Sequence, residues 1–366
     1  MLCYSHTIYE GIIIMKTILK WPGGKENELP IIRKYTPKYS GRFIEPFVGG
    51  GAVFFDTTTE RCCINDKSDE LINLYNCVKE KNTDLIKYLH LEIDEFTSIG
   101  TFVDKHTNDV LKLYHSEISI EDFIRKYNDF FSQLANDYNN IFVKELKKNL
   151  NSKILRSKKL ESESGSIPNN DRINNMEAAM KSSYYMFIRY LQNHLSVLSR
   201  GRQAAVFFFI REYCYSSMFR YNRKGEFNVP YGGISYNRKD FKKKVDYLFS
   251  DEISQKLNSA DIYCMDFEDF INKLHLTEND FIFLDPPYDT DFSTYAQNKF
   301  GKEEHIRLCD CLKLTPAKIL LIIKNTDFIY DLYKNDFHIT SFDKKYMVSF
   351  MNRNERDVKH LVITNY

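Results

Sequence analysis

The chain has 366 residues, 43% of them apolar and 15% aromatic, enough for roughly two domains of ~150 residues with sizeable cores, so a disordered chain is excluded. No apolar run approaches the ~18 residues of a membrane span, and the expectation is a soluble protein. With 51 Lys and Arg against 50 Asp and Glu, the formal charge of +1 excludes a globally basic nucleic-acid binder and leaves only a local patch to look for.

Residues 1–14 lack the basic start and small-residue cleavage site of a signal peptide. They read as an N-terminal extension before a natural start at Met15, because residues 9–15 can be encoded by a purine-rich stretch, a spacer and ATG, as a translated ribosome-binding site would be. Apolar runs at 42–47 and 61–64 flank a Gly-rich turn and a short apolar helix, the strand–crossover–strand pattern that opens an α/β domain. Residues 68–80 set Leu71, Ile72, Leu74, Tyr75 and Val78 at helical spacing behind Ser68 as cap.

From 94 to 193 the chain turns to long polar, amphipathic stretches without Gly-rich turns, a helical insertion interrupted by an exposed loop at 161–170. Within it, 144–159 holds seven basic residues and one acidic, either a track for phosphates or a solvated helix face. The apolar runs at 206–210 and 319–323 are strand-sized. After 260 the α/β alternation resumes, with strands predicted at 262–265, 281–284 and 317–323 and helices at 267–274 and 303–314. The segments 346–350 and 360–364, separated by polar residues, read as an antiparallel hairpin at the sheet's edge. The eight cysteines include no C-x-x-C pair and read as the reduced thiols of a cytoplasmic protein, with Cys62 and Cys63 in a buried strand rather than a zinc site.

Two motifs carry chemistry. Glu45-Pro46-Phe47-Val48-Gly49-Gly50-Gly51 follows the first strand, where a doubly wound fold binds its ligand. Phe54 stands where a dinucleotide fingerprint needs its third glycine, which disfavours NAD and FAD and suits a nucleotide-like cofactor without pyrophosphate. Asp66, just past the second strand, can accept hydrogen bonds from two ribose hydroxyls. Asp285-Pro286-Pro287-Tyr288 directly follows a buried strand. An exocyclic base amine is planar and a weak nucleophile. The Asp285 carboxylate and Pro286 carbonyl can take its two hydrogens and so favour a pyramidal nitrogen, Pro287 helps fix the carbonyl's direction, and Tyr288 can stack on the base.

On these residues the chain resembles bacterial DNA adenine methyltransferases of the Dam family. Leu19-Lys20-Trp21-Pro22-Gly23-Gly24-Lys25 is similar to the family's N-terminal cofactor motif, 43–51 to its Gly-rich loop, Asp66 to its ribose ligand and Asp285–Tyr288 to its catalytic motif. Arg220-Tyr221-Asn222 and 225–230 are similar to its target-recognition hairpin, and the order of the three regions is that of the family's alpha arrangement. The likeness covers about 16–80 and 204–366; the helical insertion is longer than in compact members.

The resemblance implies a Rossmann-like α/β sheet with an inserted helical and hairpin recognition domain. It divides the chain into a cofactor-binding and catalytic domain at 15–93 and 260–366 and a DNA-binding insertion at 94–259. It also implies S-adenosylmethionine as methyl donor, S-adenosylhomocysteine as product, and double-stranded DNA from which the adenine is flipped. Cofactor-binding candidates are Trp21, Lys25, Phe47, Gly49, Gly51, Asp66, Phe267 and Asp285; DNA-recognition candidates are Lys20, Tyr215, Arg220, Asn222 and Pro230. Residues 211–244 supply nine basic side chains interleaved with aromatics, and Tyr215 or the Ser216–Ser217 pair can fill the space a flipped base leaves.

No metal, membrane or histidine pairing enters this scheme. The enzyme acts alone or beside a cognate restriction endonuclease reading the same site. Methylation of an amine on RNA or a protein glutamine is disfavoured because such enzymes tend to begin the motif with Asn. An inactive DNA-binding relative is disfavoured because Trp21, Asp66 and Asp285 are all present.

Overall fold

The computed structural model describes residues 8–9, 12–13, 15–288, 300–345 and 357–366. Ile8–Tyr9 and Ile12–Ile13 form a small antiparallel pair. The chain divides into two compact units, 1–79 with 250–366, and 80–249.

The first unit opens with α1 (Leu29–Tyr35), β1 (Phe43–Glu45), α2 (Ala52–Asp56), β2 (Cys62–Asn65) and α3 (Asp69–Lys79). Both strands are buried throughout, as runs flanked by other strands must be. The α3 residues Leu71, Ile72, Leu74, Tyr75 and Val78 are its buried face.

The second unit is helical. Its helices are α4 (Thr83–Lys105), α5 (Thr107–His115), α6 (Ile120–Lys126), α7 (Asn128–Phe131), α8 (Asn139–Ser164), α9 (Asn169–Gln192), α10 (Arg200–Tyr213) and α11 (Phe241–Leu248). Two expectations change here. The loop at 161–170 shrinks to 165–168, because Glu161 ends α8 as a buttress: its Oε1 accepts from the Arg172 guanidinium at 2.6 and 3.0 Å and from the Ile167 N–H at 3.2 Å. Residues 206–210 lie inside α10 and not in a strand. That helix is buried on nearly every side from Ala204 to Tyr213, which erases the polar face that marks a helix in sequence.

The chain then returns through α12 (Asp251–Asn258), β3 (Ala260–Tyr263), α13 (Phe267–Lys273), β4 (Phe281–Leu284), α14 (Lys302–Leu314), β5 (Lys318–Lys324), α15 (Asp327–Tyr333), β6 (His338–Lys345) and β7 (Asp357–Thr364). The seven strands lie in the order β3-β2-β1-β4-β5-β7-β6, the first five parallel and β7 antiparallel to both neighbours. This is the Rossmann-like α/β sheet expected. β3 starts two residues early and stops at Tyr263, because the buried Asn65 side chain ends the ladder by exchanging hydrogen bonds with the Met265 backbone at 3.0 and 3.1 Å. The C-terminal hairpin also differs: β7 pairs with β6, an exposed edge strand, and itself lies inside the sheet. The predicted strand at 346–350 falls outside the described residues.

The start of β4 is fixed by Asp280, buried to 2%. Burial alone would raise its carboxyl, but the Arg42 guanidinium and the N–H groups of Arg42 and Thr277 outweigh this and hold it at about 2. A folded value below the unfolded one of ~3.9 contributes stability at neutral pH, about 2 kcal/mol here, which is lost as pH falls from about 4 towards 2. Arg42→Met is expected to remove about 2–3 kcal/mol at pH 7 and to flatten this acid-side loss; urea melts at pH 7 and pH 3 check both.

Candidate active site

The strand order reverses between β1 and β4, adjacent and in register at Phe43↔Phe281 and Ile44↔Ile282. In open α/β sheets the ligand crevice forms at such a switch point, beyond the carboxyl ends of the strands. The Gly-rich loop leaves β1 there, Asp285–Tyr288 leaves β4, Asp66 follows β2 and Phe267 follows β3.

Three neighbours pin the Gly-rich loop. Asp66 accepts the Gly49 N–H at 3.0 Å and the Ser68 N–H at 2.9 Å, and the Tyr75 hydroxyl donates to the Gly49 carbonyl at 2.8 Å. Trp21 covers the third side: a Cβ on Gly49 would lie 2.8 Å from its indole, and Gly49 has φ +47°. Gly51, at φ +74°, leaves no space beside Phe55 and Tyr75. The loop is therefore bare backbone by necessity, able to approach a ligand closely. Asp66 keeps lone pairs beyond the two backbone bonds, enough to accept ribose hydroxyls. Burial raises its carboxyl while the backbone N–H groups oppose the rise.

Phe47 is half-buried beside Phe267 at 5.5 Å and Phe300 at 5.6 Å. Phe267 is 4% exposed and belongs to the core, so it backs Phe47 rather than lining a crevice with its face. Glu45, 2% exposed, has its carboxyl pushed well above the usual range by burial, reinforced by the Asp285 charge.

Lys25, 3% exposed, donates to Asp285 Oδ2 at 2.5 Å, to the Gly23 carbonyl at 3.0 Å and to the Tyr288 hydroxyl at 3.3 Å. Asp285 remains 20% exposed. His360 on β7 is fully buried, with Nε2 3.2 Å from the Tyr288 hydroxyl. Sequence reasoning placed no histidine beside the Asp-Pro-Pro-Tyr motif; the structure puts His360 against its tyrosine. Neither partnership has a local signal, since Lys25 and Asp285 are 260 residues apart and Tyr288 and His360 are 72 apart. Pro286 is buried and Pro287 exposed.

In the helical unit, the chain folds into a hairpin with antiparallel bridges Cys214↔Tyr231 and Tyr221↔Phe227. Arg220 is exposed and braced by Asn228, Nε to Oδ1 at 2.9 Å and Nη2 to the carbonyl at 3.0 Å. Asn222 spends its side chain on the turn: Oδ1 accepts from the N–H groups of Lys224 and Glu226, and Nδ2 donates to Glu226. Tyr215 is 45% exposed; its N–H donates to the Pro230 carbonyl at 2.8 Å. Ser216 and Ser217 have φ of 52° and 50°.

The local basic patch is smaller than the sequence suggests. Arg211 is fully buried, donating to the carbonyls of Ser217 and Met218 and lying 3.8 Å from the Phe219 ring centre, so it braces the strained turn. Arg238 pairs with Asp104 and Glu177, Lys239 with Glu212 and Lys242 with Asp246. Lys20, in the first unit, is exposed.

The family model of the D12 class N6 adenine-specific DNA methyltransferases matches residues 21–170 and 127–348, insertion included. The chain is 29% identical to the type II methyltransferase M.CviBI of Paramecium bursaria Chlorella virus NC1A, over 96% of this chain and 100% of the relative. It is 27% identical to the type II methyltransferase M.MjaIII of Methanocaldococcus jannaschii, over 96% and 99%. It is 26% identical to the DNA adenine methylase of Haemophilus influenzae, over 87% and 82%. The likeness thus runs through the helical insertion, which the motifs alone had left outside.

Proposed function

Because the chain belongs to the D12 class N6 adenine-specific DNA methyltransferases, we propose that Asp285–Tyr288 holds a flipped adenine of double-stranded DNA beside S-adenosylmethionine seated on the Gly-rich loop. The observation that carries this reading is the departure of both loops from β1 and β4, neighbouring strands at the switch point. The cofactor fits the residues present: a glycine loop in which a Cβ would strike Trp21, Phe55 or Tyr75, an acidic group for ribose, and Phe54 where pyrophosphate binding would need glycine. Trp21, Phe47, Gly49, Gly51 and Asp66 hold it, with Phe267 behind Phe47. Bound there, S-adenosylmethionine supplies an electrophilic sulfonium methyl group and leaves as S-adenosylhomocysteine.

The protein's own work is positioning. Asp285 Oδ1 and the Pro286 carbonyl accept the two hydrogens of the exocyclic amine and turn its lone pair out of the ring plane. Tyr288 stacks on the base, and Lys25 keeps Asp285 Oδ2 occupied. After transfer the methylated amine sheds its proton to Asp285 or water. Sequencing of DNA from cells expressing the protein, with a readout for N6-methyladenine, tests this; modification at one guanine-containing site is expected, and unmodified DNA would overturn it. The same experiment, with and without a candidate partner gene, separates a lone methylase from the modification half of a restriction system.

Residues 80–249 carry target recognition in this reading. Arg220, held by Asn228, offers a guanidinium to the two major-groove acceptors of a guanine, and Lys20 a point donor to another, which suggests GATC or an extension of it. Tyr215, exposed and joined to Pro230 at the hairpin's base, can supply a wedge for the space a flipped base leaves; Asn222 acts by shaping the turn. Arg220→Ala is expected to cost about 1–3 kcal/mol at one base pair while other positions stay selective. Methylation profiles of the two proteins compare this directly.

The exposed face of α8 supports a backbone contact. Lys144, Lys147 and Lys148 line an open groove with Asn140, Asn151 and Glu121, with Lys148 3.7 Å from Glu145; Lys158 donates to Ser116 and Lys159 lies near Glu163. Replacing Lys144, Lys147 and Lys148 with Gln is expected to weaken binding to all sequences alike and to reduce the salt slope by about one for each phosphate no longer neutralised. An unchanged slope in fluorescence-anisotropy titrations means a solvated face only.

A further inference from the structure

β7 is an interior strand in which Leu361, Val362 and Ile363 are buried to 2% exposure or less. His360 precedes them, equally buried, at a position where an aliphatic side chain would pack without any polar cost. A buried imidazole needs a hydrogen-bonding partner, and Nε2 has the Tyr288 hydroxyl at 3.2 Å, with the rings edge to face at 5.5 Å. Phe342 of β6 lies against the imidazole at 5.8 Å.

The donor and acceptor roles in this contact follow the imidazole tautomer, and either role ties Nε2 to the phenol oxygen. Lys25 can only donate, so at 3.3 Å the Tyr288 oxygen is its acceptor. The tyrosine has one hydrogen to give, and a neutral His360 Nε2 can accept it. Lys324 stands opposite His360 on β5, and Lys25 contacts Asp285 as well as Tyr288. The result is one chain of contacts, His360 to Tyr288 to Lys25 to Asp285, inside a single compact unit.

We propose that His360 is a positioning residue for methyl transfer, holding the Tyr288 hydroxyl against Lys25 so that the tyrosine ring keeps one face towards the target base. The hydrogen bond to His360 adds a restraint on the torsions of a phenol that Lys25 also contacts. This inference rests on the assignment of Asp285–Tyr288 as the catalytic motif.

Single-turnover methyl transfer to a duplex oligonucleotide tests it. His360→Leu is expected to lower the transfer rate constant by about 10–100-fold, with the KM values for S-adenosylmethionine and DNA within about twofold of wild type. His360→Gln, whose amide oxygen can accept the phenol hydrogen, is expected to recover most of the loss, and in a Tyr288→Phe background His360→Leu is expected to cost nothing further. Losses that multiply in the double variant, or a Gln variant as slow as Leu, overturn the positioning role. If His360→Leu fails to fold, His360→Gln set against the shorter His360→Asn decides: equal rates overturn the proposal, and a slower Asn variant supports it. Asp285→Ala, run alongside, separates the failures, since an active Asp285→Ala removes the site assignment itself.

Discussion

Asp285→Ala is expected to lower methyl transfer by about 10³-fold or more while DNA affinity and S-adenosylmethionine affinity stay within a few-fold of wild type. The carboxylate acts on the reacting amine, so its loss removes stabilisation that exists only as the nitrogen becomes pyramidal. Phosphate contacts and the glycine cradle do not depend on it. Asp285→Asn is the sharper variant: the amide preserves shape and keeps one acceptor oxygen, but its NH₂ end would face the Lys25 ammonium as one donor against another. The amide can avoid this only by turning its oxygen to Lys25, which presents the NH₂ to the substrate amine. Either orientation spoils one of the two contacts, and Asn is expected to be nearly as inactive as Ala. Rapid-quench transfer of a labelled methyl group, with calorimetry for the cofactor and anisotropy for DNA, measures the three quantities separately; activity within tenfold of wild type would falsify the assigned chemistry.

The motifs were legible because their chemistry is local. A rigid Asp-Pro-Pro-Tyr after FIFL, and glycines after FIE, announce strand ends whatever the rest of the chain does. What stayed hidden follows three physical patterns. The edge strand β6 (HITSFDKK) has exposed residues on both faces from His338 to Asp343 and no apolar run, so it resembles a loop. Residues 206–210 resemble a strand because a helix buried all round has no polar stripe. Lys25, His360, Arg211 and Asn65 are polar residues whose value lies in partners brought to them by folding: a carboxylate, a phenol, two carbonyls of a strained turn, and the backbone of the next strand. Composition ranks Arg211 with the DNA-binding cations, and only burial reassigns it. The candidate site was therefore readable as loops and unreadable as a hydrogen-bonded network.

That network makes Lys25→Met the second severe substitution. The ammonium has three hydrogens and three acceptors, Asp285 Oδ2, the Gly23 carbonyl and the Tyr288 hydroxyl, and at 3% exposure it has little room for water to replace any of them. Methionine fills a similar volume and removes all three hydrogen bonds at once. Asp285 and Tyr288 then each lose the Lys25 contact that helps to fix them. A displacement of about 1 Å at such a site can cost 10²-fold in rate, so kcat is expected to fall by about 10²-fold. Cofactor affinity should change less, because Trp21 and Asp66 still hold the glycine loop. Arginine should not substitute, since its planar fork cannot reproduce three converging hydrogen bonds of a point charge in a buried pocket. Steady-state kinetics of the Met and Arg variants provide the check: a Met variant within threefold of wild type would show that Asp285 and Tyr288 keep their geometry without the lysine.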